Sequence, residues 1–373
     1  MEDLDGLAVE DEVVLKRYLD SDKGSHLKKT IEEFISRLKR REYVNSFELA
    51  SQTLFTLTVL IRFVAVKRDA AGSTATVLMQ VVRAVGRRLI RARPVEIVIG
   101  NAVRRVLFTI REENTNLIKG FATDRHSAQP QLHAMLSKSP TESTPLETVK
   151  TSLGEAVVDG LQEIQGELEN FHEPITKQAL EHIHANDVLL VSGSSKTVQM
   201  FLKEAKRKRD FEVIVAEAAP ACHGHDMARK LCESNISTTV ITDSAIMAMM
   251  SRVNKVLISP KAVLANGGLL AQTGTHMVAL AAKHHRVPVV CVTGLHKLSP
   301  LYAHDIDAFA DLNSPGSVFD YGEVPDNVHV LAPHYDYVPP ELVSLFITNT
   351  GGHLPSYVYR LLAEYYNPAD NVI

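Results

Sequence analysis

The chain has 373 residues, 45% of them apolar, and a formal net charge of −4. That length accommodates two domains with sizeable cores, and the mild acidity argues against a general nucleic-acid binder. Its three cysteines, Cys222, Cys232 and Cys291, lack a CxxC spacing, which argues against a disulfide framework or a zinc site and suits a reducing compartment.

The first residues, Met-Glu-Asp-Leu-Asp, are acidic and contain no apolar run, so no signal peptide is expected. No apolar stretch reads as long enough for a membrane span. Residues 11 to about 120 read as helices. Leu54, Leu57, Leu60, Ile61 and Val64 recur at three- and four-residue spacing, as do Val77, Leu78, Val81, Val82 and Val85. The Asp69–Thr74 stretch separates these two helices, and Arg93-Pro94 ends the second. A further helix is expected from about Val95 to Ile118, with Val98, Ala102, Val106 and Ile110 four apart.

Ser, Thr, Gln and Pro then dominate, and 122–149 is expected to be a flexible loop. A long connecting helix follows over 150–185. Its apolar seam runs Leu153, Val157, Leu161, Ile164, Leu168, Phe171 and Ile175, and Pro174 should kink it. From Asn186 short apolar runs alternate with helical segments. Candidate strands are Val188–Ser192, Glu212–Ala216, Thr238–Ile241, Lys255–Ser259 and Val287–Thr293, with Val328–Leu331 as a sixth. The expected fold class is therefore α/β. An N-terminal all-helical domain (1–121) precedes a Rossmann-like domain (186–373) built on a mostly parallel sheet with helices on both faces.

Ligands bind such sheets at the carboxyl ends of the strands. Four segments fall there: Ser192–Lys196, Glu217–Pro220, Thr242–Ser244 and Lys261–Gly274. Ser194 and Ser195 fit either a phosphate cradle or a helix cap. Asp243 fits an acid/base, a ribose ligand or a cap. Cys222, His223, His225 and Asp226 have metal-ligating chemistry, but neighbours on one turn cannot all face one ion, so no metal is expected. His284-His285 fits a helix end, and Lys203–Arg209 a solvated helix end. Arg83 to Arg111 spans eight arginines and one acid, Glu96. Arg87, Arg88 and Arg91, with Arg104, Arg105 and Arg111, are expected to form a basic partner-binding face with no acid beside the first group. Tyr337, Leu342, Phe346, Tyr357 and Tyr359 offer aromatic and apolar surface suited to a subunit interface.

The sequence also resembles a known family. The stretches that carry the likeness are Phe201–Arg209, Val213–Pro220, Met249–Val256, Leu264–Gly267, Thr273–His276, Ala281–His285, Lys297–Pro300, Tyr335–Leu342 and Pro355–Tyr366, with Val66–Arg68 and Gly100–Glu113 in the helical half. They resemble the regulatory subunits of translation initiation factor 2B, a guanine-nucleotide exchange factor, and within them the beta branch rather than alpha or delta. The likeness covers nearly the whole chain.

The wider superfamily includes methylthioribose-1-phosphate and ribose-1,5-bisphosphate isomerases. By motif position, Gly193 stands where those enzymes have a catalytic cysteine, Lys261 where they have an aspartate, and Ala219 where they have a phosphate-contacting arginine. The resemblance implies a vestigial pocket of Gly193, Ser194, Ser195, Asp243, Lys261, Asn266 and Gly267 without an acid/base pair. It implies a non-enzymatic cytoplasmic subunit without cofactors. Its partners would be the alpha, delta, gamma and epsilon subunits and the alpha subunit of initiation factor 2, in both phosphorylation states, with no nucleic acid or membrane. The alternatives are a sugar-phosphate isomerase and a sugar-phosphate or nucleotide sensor.

Overall fold

In the computed structural model, residues 2–20, 24–43, 45–66, 75–124, 146–303, 311–325, 327–371 and 373 are described. Most of the expected loop, 125–145, lies outside them. The chain divides into two compact units, Met1–Leu168 with Tyr365–Ile373, and Glu169–Glu364.

The first unit is helical: α1 (Glu2–Leu19), α2 (Gly24–Lys39), α3 (Ser46–Val66), α4 (Ala75–Ala92), α5 (Ile97–Asp124) and most of α6 (Leu146–Asn170). Spacings of three and four bury Leu78, Val81, Val82, Val85 and Leu89 on one face of α4. That face packs on α1 and α5. At the crossing with α5, a Cβ on Gly86 would lie 2.7 Å from Val103 Cγ1, so the close approach of the helices depends on glycine. By length and composition α3 is apolar enough to cross a membrane, which corrects the expectation that no stretch is. Its Leu49, Leu54, Leu57, Leu60, Ile61 and Val64 are buried in the helical core.

The second unit adds α7 (His172–Lys177), α8 (Ala179–His182), α9 (Lys196–Lys206), α10 (His223–Glu233), α11 (Ile246–Met249), α12 (Thr275–His285) and most of α13 (Val358–Tyr365). The long helix breaks at Phe171, and Pro174 falls in the first turn of α7, where its missing N–H has no helical partner to lose. The strands are β1 (Val188–Ser192), β2 (Glu212–Ala216), β3 (Ser237–Ile241), β4 (Lys255–Ile258), β5 (Ala262–Val263), β6 (Leu269–Gln272), β7 (Val289–Val292), β8 (Tyr335–Val338), β9 (Leu345–Thr348) and β10 (Gly351–His353).

Seven strands form one sheet in the order β10-β9-β7-β4-β1-β2-β3, parallel except for β10. From β1 the chain winds outward to β3, then crosses back to β4 and on to β9. The switch point thus lies between β1 and β4, where such sheets bind ligands. The expected strand Val328–Leu331 is absent: the segment is irregular, with Val328 and Leu331 exposed. The Gly-rich segment after β4 is a β5–β6 hairpin that pairs with β8 in a second, three-stranded sheet. Tyr365–Ile373, expected in the α/β domain, belongs to the helical unit.

Candidate functional site

The carboxyl ends of β1 and β4 carry most of the expected pocket. Gly193, after β1, has φ +69°, and a Cβ there would overlap Gln272 Oε1. The Gln272 amide therefore fills the space a side chain at 193 would need. Ser195 is the N-cap of α9, its Oγ accepting from Val198 N at 3.4 Å, as one of the two readings had it. Asn266 and Gly267 form the hairpin turn. Gly267 has φ +81°, Asn266 Oδ1 accepts from Gly268 N at 2.9 Å, and its Nδ2 donates to the Tyr337 hydroxyl at 2.7 Å. Lys261 opens the hairpin, its N–H donating to Leu270 O at 2.8 Å and its ammonium lying 5.9 Å from the centre of the Tyr335 ring.

Residues not anticipated from sequence complete this end of the sheet. Lys297 Nζ donates to Pro260 O at 2.9 Å. Burial, then the Lys261 charge, pushes it down to about 8. His172 and His296 pack on the Phe171 ring at centroid distances of 3.8 and 4.7 Å. Burial first, then Lys196 and Lys297, pushes His172 down to about 4, and burial with Lys297 pushes His296 to about 3. Asp336, on β8, accepts from Gly274 N at 2.6 Å and His276 N at 3.4 Å. It seats a carboxylate on the positive end of α12, which has no side-chain cap of its own.

Asp243 is not a helix N-cap. Thr242 holds that place, and the Asp243 carboxylate accepts from Ala218 N at 3.0 Å and Ala219 N at 2.7 Å. It fixes the turn after β2, where Ala218 takes a left-handed conformation. On the same turn Glu217, Cys222 and His225 place one ligating atom each within 4.8 Å of one another. His223 and Asp226 do not join them. Of the four residues weighed from sequence, only Cys222 and His225 come together, and Glu217, brought in by the end of β2, joins them.

The basic stripe is also corrected. Asp11 pairs with Arg87 at 2.6 Å and Glu12 with Arg88, both acids coming from α1. Arg111 and Arg83 bind Asp370 at 2.8 and 2.7 Å. Arg104 is buried, donating to the carbonyls of Asp370 and Asn371, and Arg105 lies 4.2 Å from the Tyr365 ring centre. Of the six arginines only Arg91 is exposed, with no ion pair among the described residues. Two of the expected interface residues move inward. Phe346 is buried at the centre of β9 opposite Cys291, and Leu342 is buried before it. Tyr337 is partly buried on Asn266, Tyr357 stacks on His353 at 5.0 Å, and Leu354 and Tyr359 are exposed.

The model of the initiation factor 2 subunit family matches residues 49–355. The chain is 41% identical to translation initiation factor eIF2B subunit beta of Dictyostelium discoideum, over 91% of this chain and 95% of that one. It is 36% identical to the Schizosaccharomyces pombe subunit beta, over 93% and 98%. Among solved structures it resembles a chain of the tetrameric eIF2B-beta2-delta2 complex from C. thermophilum, with a TM-score of 0.68, 29% identity and coverage of 95% and 98%.

Proposed function

The chain belongs to the initiation factor 2 subunit family, and on that premise we propose that it is a non-catalytic regulatory subunit of the initiation factor 2B complex. The observation that carries the reading is the likeness to two subunit beta proteins over more than nine-tenths of the chain. In that role it helps bind initiation factor 2 in the cytoplasm and couples phosphorylation of its alpha subunit to nucleotide exchange. The delta subunit is its nearest partner on the strength of the beta–delta complex it resembles, with alpha, gamma and epsilon completing the assembly.

The strand-end chemistry supports the absence of catalysis. Isomerisation needs a positioned acid/base pair. The two slots hold Gly193 and Lys261, the Gln272 amide covers the first, and Asp336 takes the seat at the start of α12. The experiment is reconstitution with and without this chain. Its omission should leave exchange by the remaining subunits but remove the difference between phosphorylated and unphosphorylated initiation factor 2. The pure chain should turn over neither methylthioribose-1-phosphate nor ribose-1,5-bisphosphate above background. Retained discrimination without the chain would defeat the regulatory reading, and measurable turnover would defeat the non-catalytic one.

One observation favours a second reading, a sensor of phosphorylated metabolites. The charges acting on His172 are those of Lys196 and Lys297, and on Lys297 that of Lys261, all cationic. That is an environment for an anion. Calorimetric titration of the chain with sugar phosphates, and with Lys297→Met as control, tests it.

A further inference from the structure

The turn after β2 carries donors that neither regulation nor the strand-end pocket uses. We propose that Glu217, Cys222 and His225 form a binding site for a thiophilic divalent cation of the zinc class.

The donors are a carboxylate oxygen, a thiol sulfur and an imidazole nitrogen, all within 4.8 Å of one another. His225 Nε2 lies 4.0 Å from Glu217 Oε2. Tetrahedral zinc, with bonds of about 2.0–2.3 Å, sets its ligands roughly 3.2–3.8 Å apart. Binding therefore requires the three side chains to draw closer than the 4.8 Å they now span. A set containing one thiolate and one imidazole selects zinc-like ions over magnesium or calcium. Three protein ligands leave the fourth position to water or a further ligand.

The backbone under these side chains is fixed. Cys222 has φ +53°, a left-handed conformation that turns the chain into α10. Its N–H donates to Ala218 O at 3.0 Å, and Gly224 N donates to Glu217 O at 3.0 Å. A Cβ on Gly224 would overlap Ala216 O and lie 2.8 Å from Glu217 Cα. Glycine therefore lets the first turn of α10 rest on the end of β2, which brings His225 beside Glu217. Asp243 pins the same turn through Ala218 and Ala219. With the backbone fixed in this way, the ordering cost of binding falls on the side chains.

A plainer account is a surface ion pair between His225 and Glu217. That account leaves the thiol unused: Cys222 occupies the N-cap of α10 and makes no capping hydrogen bond. The positive end of α10 disfavours a bare cation, and the two anionic donors offset it. His223 and Asp226 stand outside the set. Asp226 instead pairs with Arg229 at 3.1 Å.

The test is titration of the purified full chain with Co²⁺ under reducing conditions, followed by displacement with Zn²⁺. A thiolate-to-cobalt charge-transfer band should saturate at one equivalent and vanish as Zn²⁺ is added. Cys222→Ser should abolish the band, and Cys232→Ser should leave it intact. His225→Ala and Glu217→Gln should each weaken Zn²⁺ affinity at least about 10-fold, a loss that even outer-shell changes can cause. Zn²⁺ should raise the melting temperature of the unmodified chain and not that of Cys222→Ser. No charge-transfer band, or one that survives Cys222→Ser, overturns the proposal.

Discussion

Arg111 holds Asp370 through two parallel hydrogen bonds, Nε to Oδ2 at 2.8 Å and Nη2 to Oδ1 at 2.9 Å. Arg83 adds a third at 2.7 Å, and the carboxylate is fully buried. Burial by itself raises the carboxyl. The hydrogen bonds and charges of Arg111 and Arg83 outweigh it and hold the group below its ordinary 3.8. The stabilisation is therefore complete above the unfolded value and is lost as pH falls through the lower folded one. Asp370→Asn should lower stability by about 3–5 kcal/mol, because it leaves two guanidinium groups without their anion. Urea unfolding at neutral and acid pH checks this. The variant should also lose part of the acid-limb slope, and an unchanged midpoint would mean the clamp is energetically idle.

Arg87 and Arg91 sit one turn apart on α4 and should behave oppositely. Arg87 pairs with the nearly buried Asp11, so Arg87→Glu sets two carboxylates together and should cost about 3–5 kcal/mol. Reversing both charges with Asp11→Arg should restore part of it. Arg91→Glu should stay within about ±0.5 kcal/mol of the parent. If α4 contacts initiation factor 2, Arg91→Glu weakens binding more at low salt than at moderate salt. Equal affinities of the parent and Arg91→Glu complexes at both salts would remove Arg91 from any partner surface.

His172 and His296 are held neutral, at about 4 and about 3, by burial and by the nearby lysines. Their unfolded values lie near 6.5. The unfolded chain therefore takes up protons first, and stability falls as pH drops from about 6.5 toward about 4. His172→Phe keeps a ring on Phe171 and removes one titrating group. Its stability should fall less steeply across that window, measured by denaturant midpoints at several pH values. A slope equal to the parent's would place the effect elsewhere.

Among the described residues of 335–366, Leu354 and Tyr359 are large apolar side chains that stay at the surface. Leu354→Glu with Tyr359→Glu should leave the fold within about ±0.5 kcal/mol and weaken association with a delta-type partner in sedimentation. Phe346→Ala should instead cost about 3–5 kcal/mol by opening a core cavity. Intact association of the double variant would clear this face of an assembly role.

The parallel sheet is legible where strands are continuous apolar runs. Val-Leu-Leu-Val and Val-Ile-Val-Ala mark β1 and β2 directly. Strands β5, β6, β8, β9 and β10 are two to four residues long and are punctuated by Pro, Gly and Asn, so no window shows a period. Val328–Leu331 has strand composition but pairs with no strand among the described residues. The Asn266-Gly267 turn was readable from its glycines and Gly193 from its motif position after β1, whereas the left-handed backbone at 193 was not anticipated. Nor were the acids beside the arginines: Asp11 lies 76 residues from Arg87, and Asp370 lies 259 from Arg111. Glu217 meets His225 only because Ala218 and Cys222 both turn left-handed, a feature their identities do not announce.

The return of Tyr365–Ile373 to the helical unit has a temporal side. On the ribosome, N-terminal domains usually fold first, at about 5–20 residues per second of synthesis. Here the carboxylate that neutralises Arg83 and Arg111 emerges 259 residues after Arg111, an interval of roughly 10–50 s at that rate. During it the nascent helical unit exposes unmatched guanidinium groups and the apolar ground that Ile373 later covers. The unit made first is thus the one finished last, and a nascent-chain protease digest should show its protection arriving only once residues 365–373 have left the ribosome.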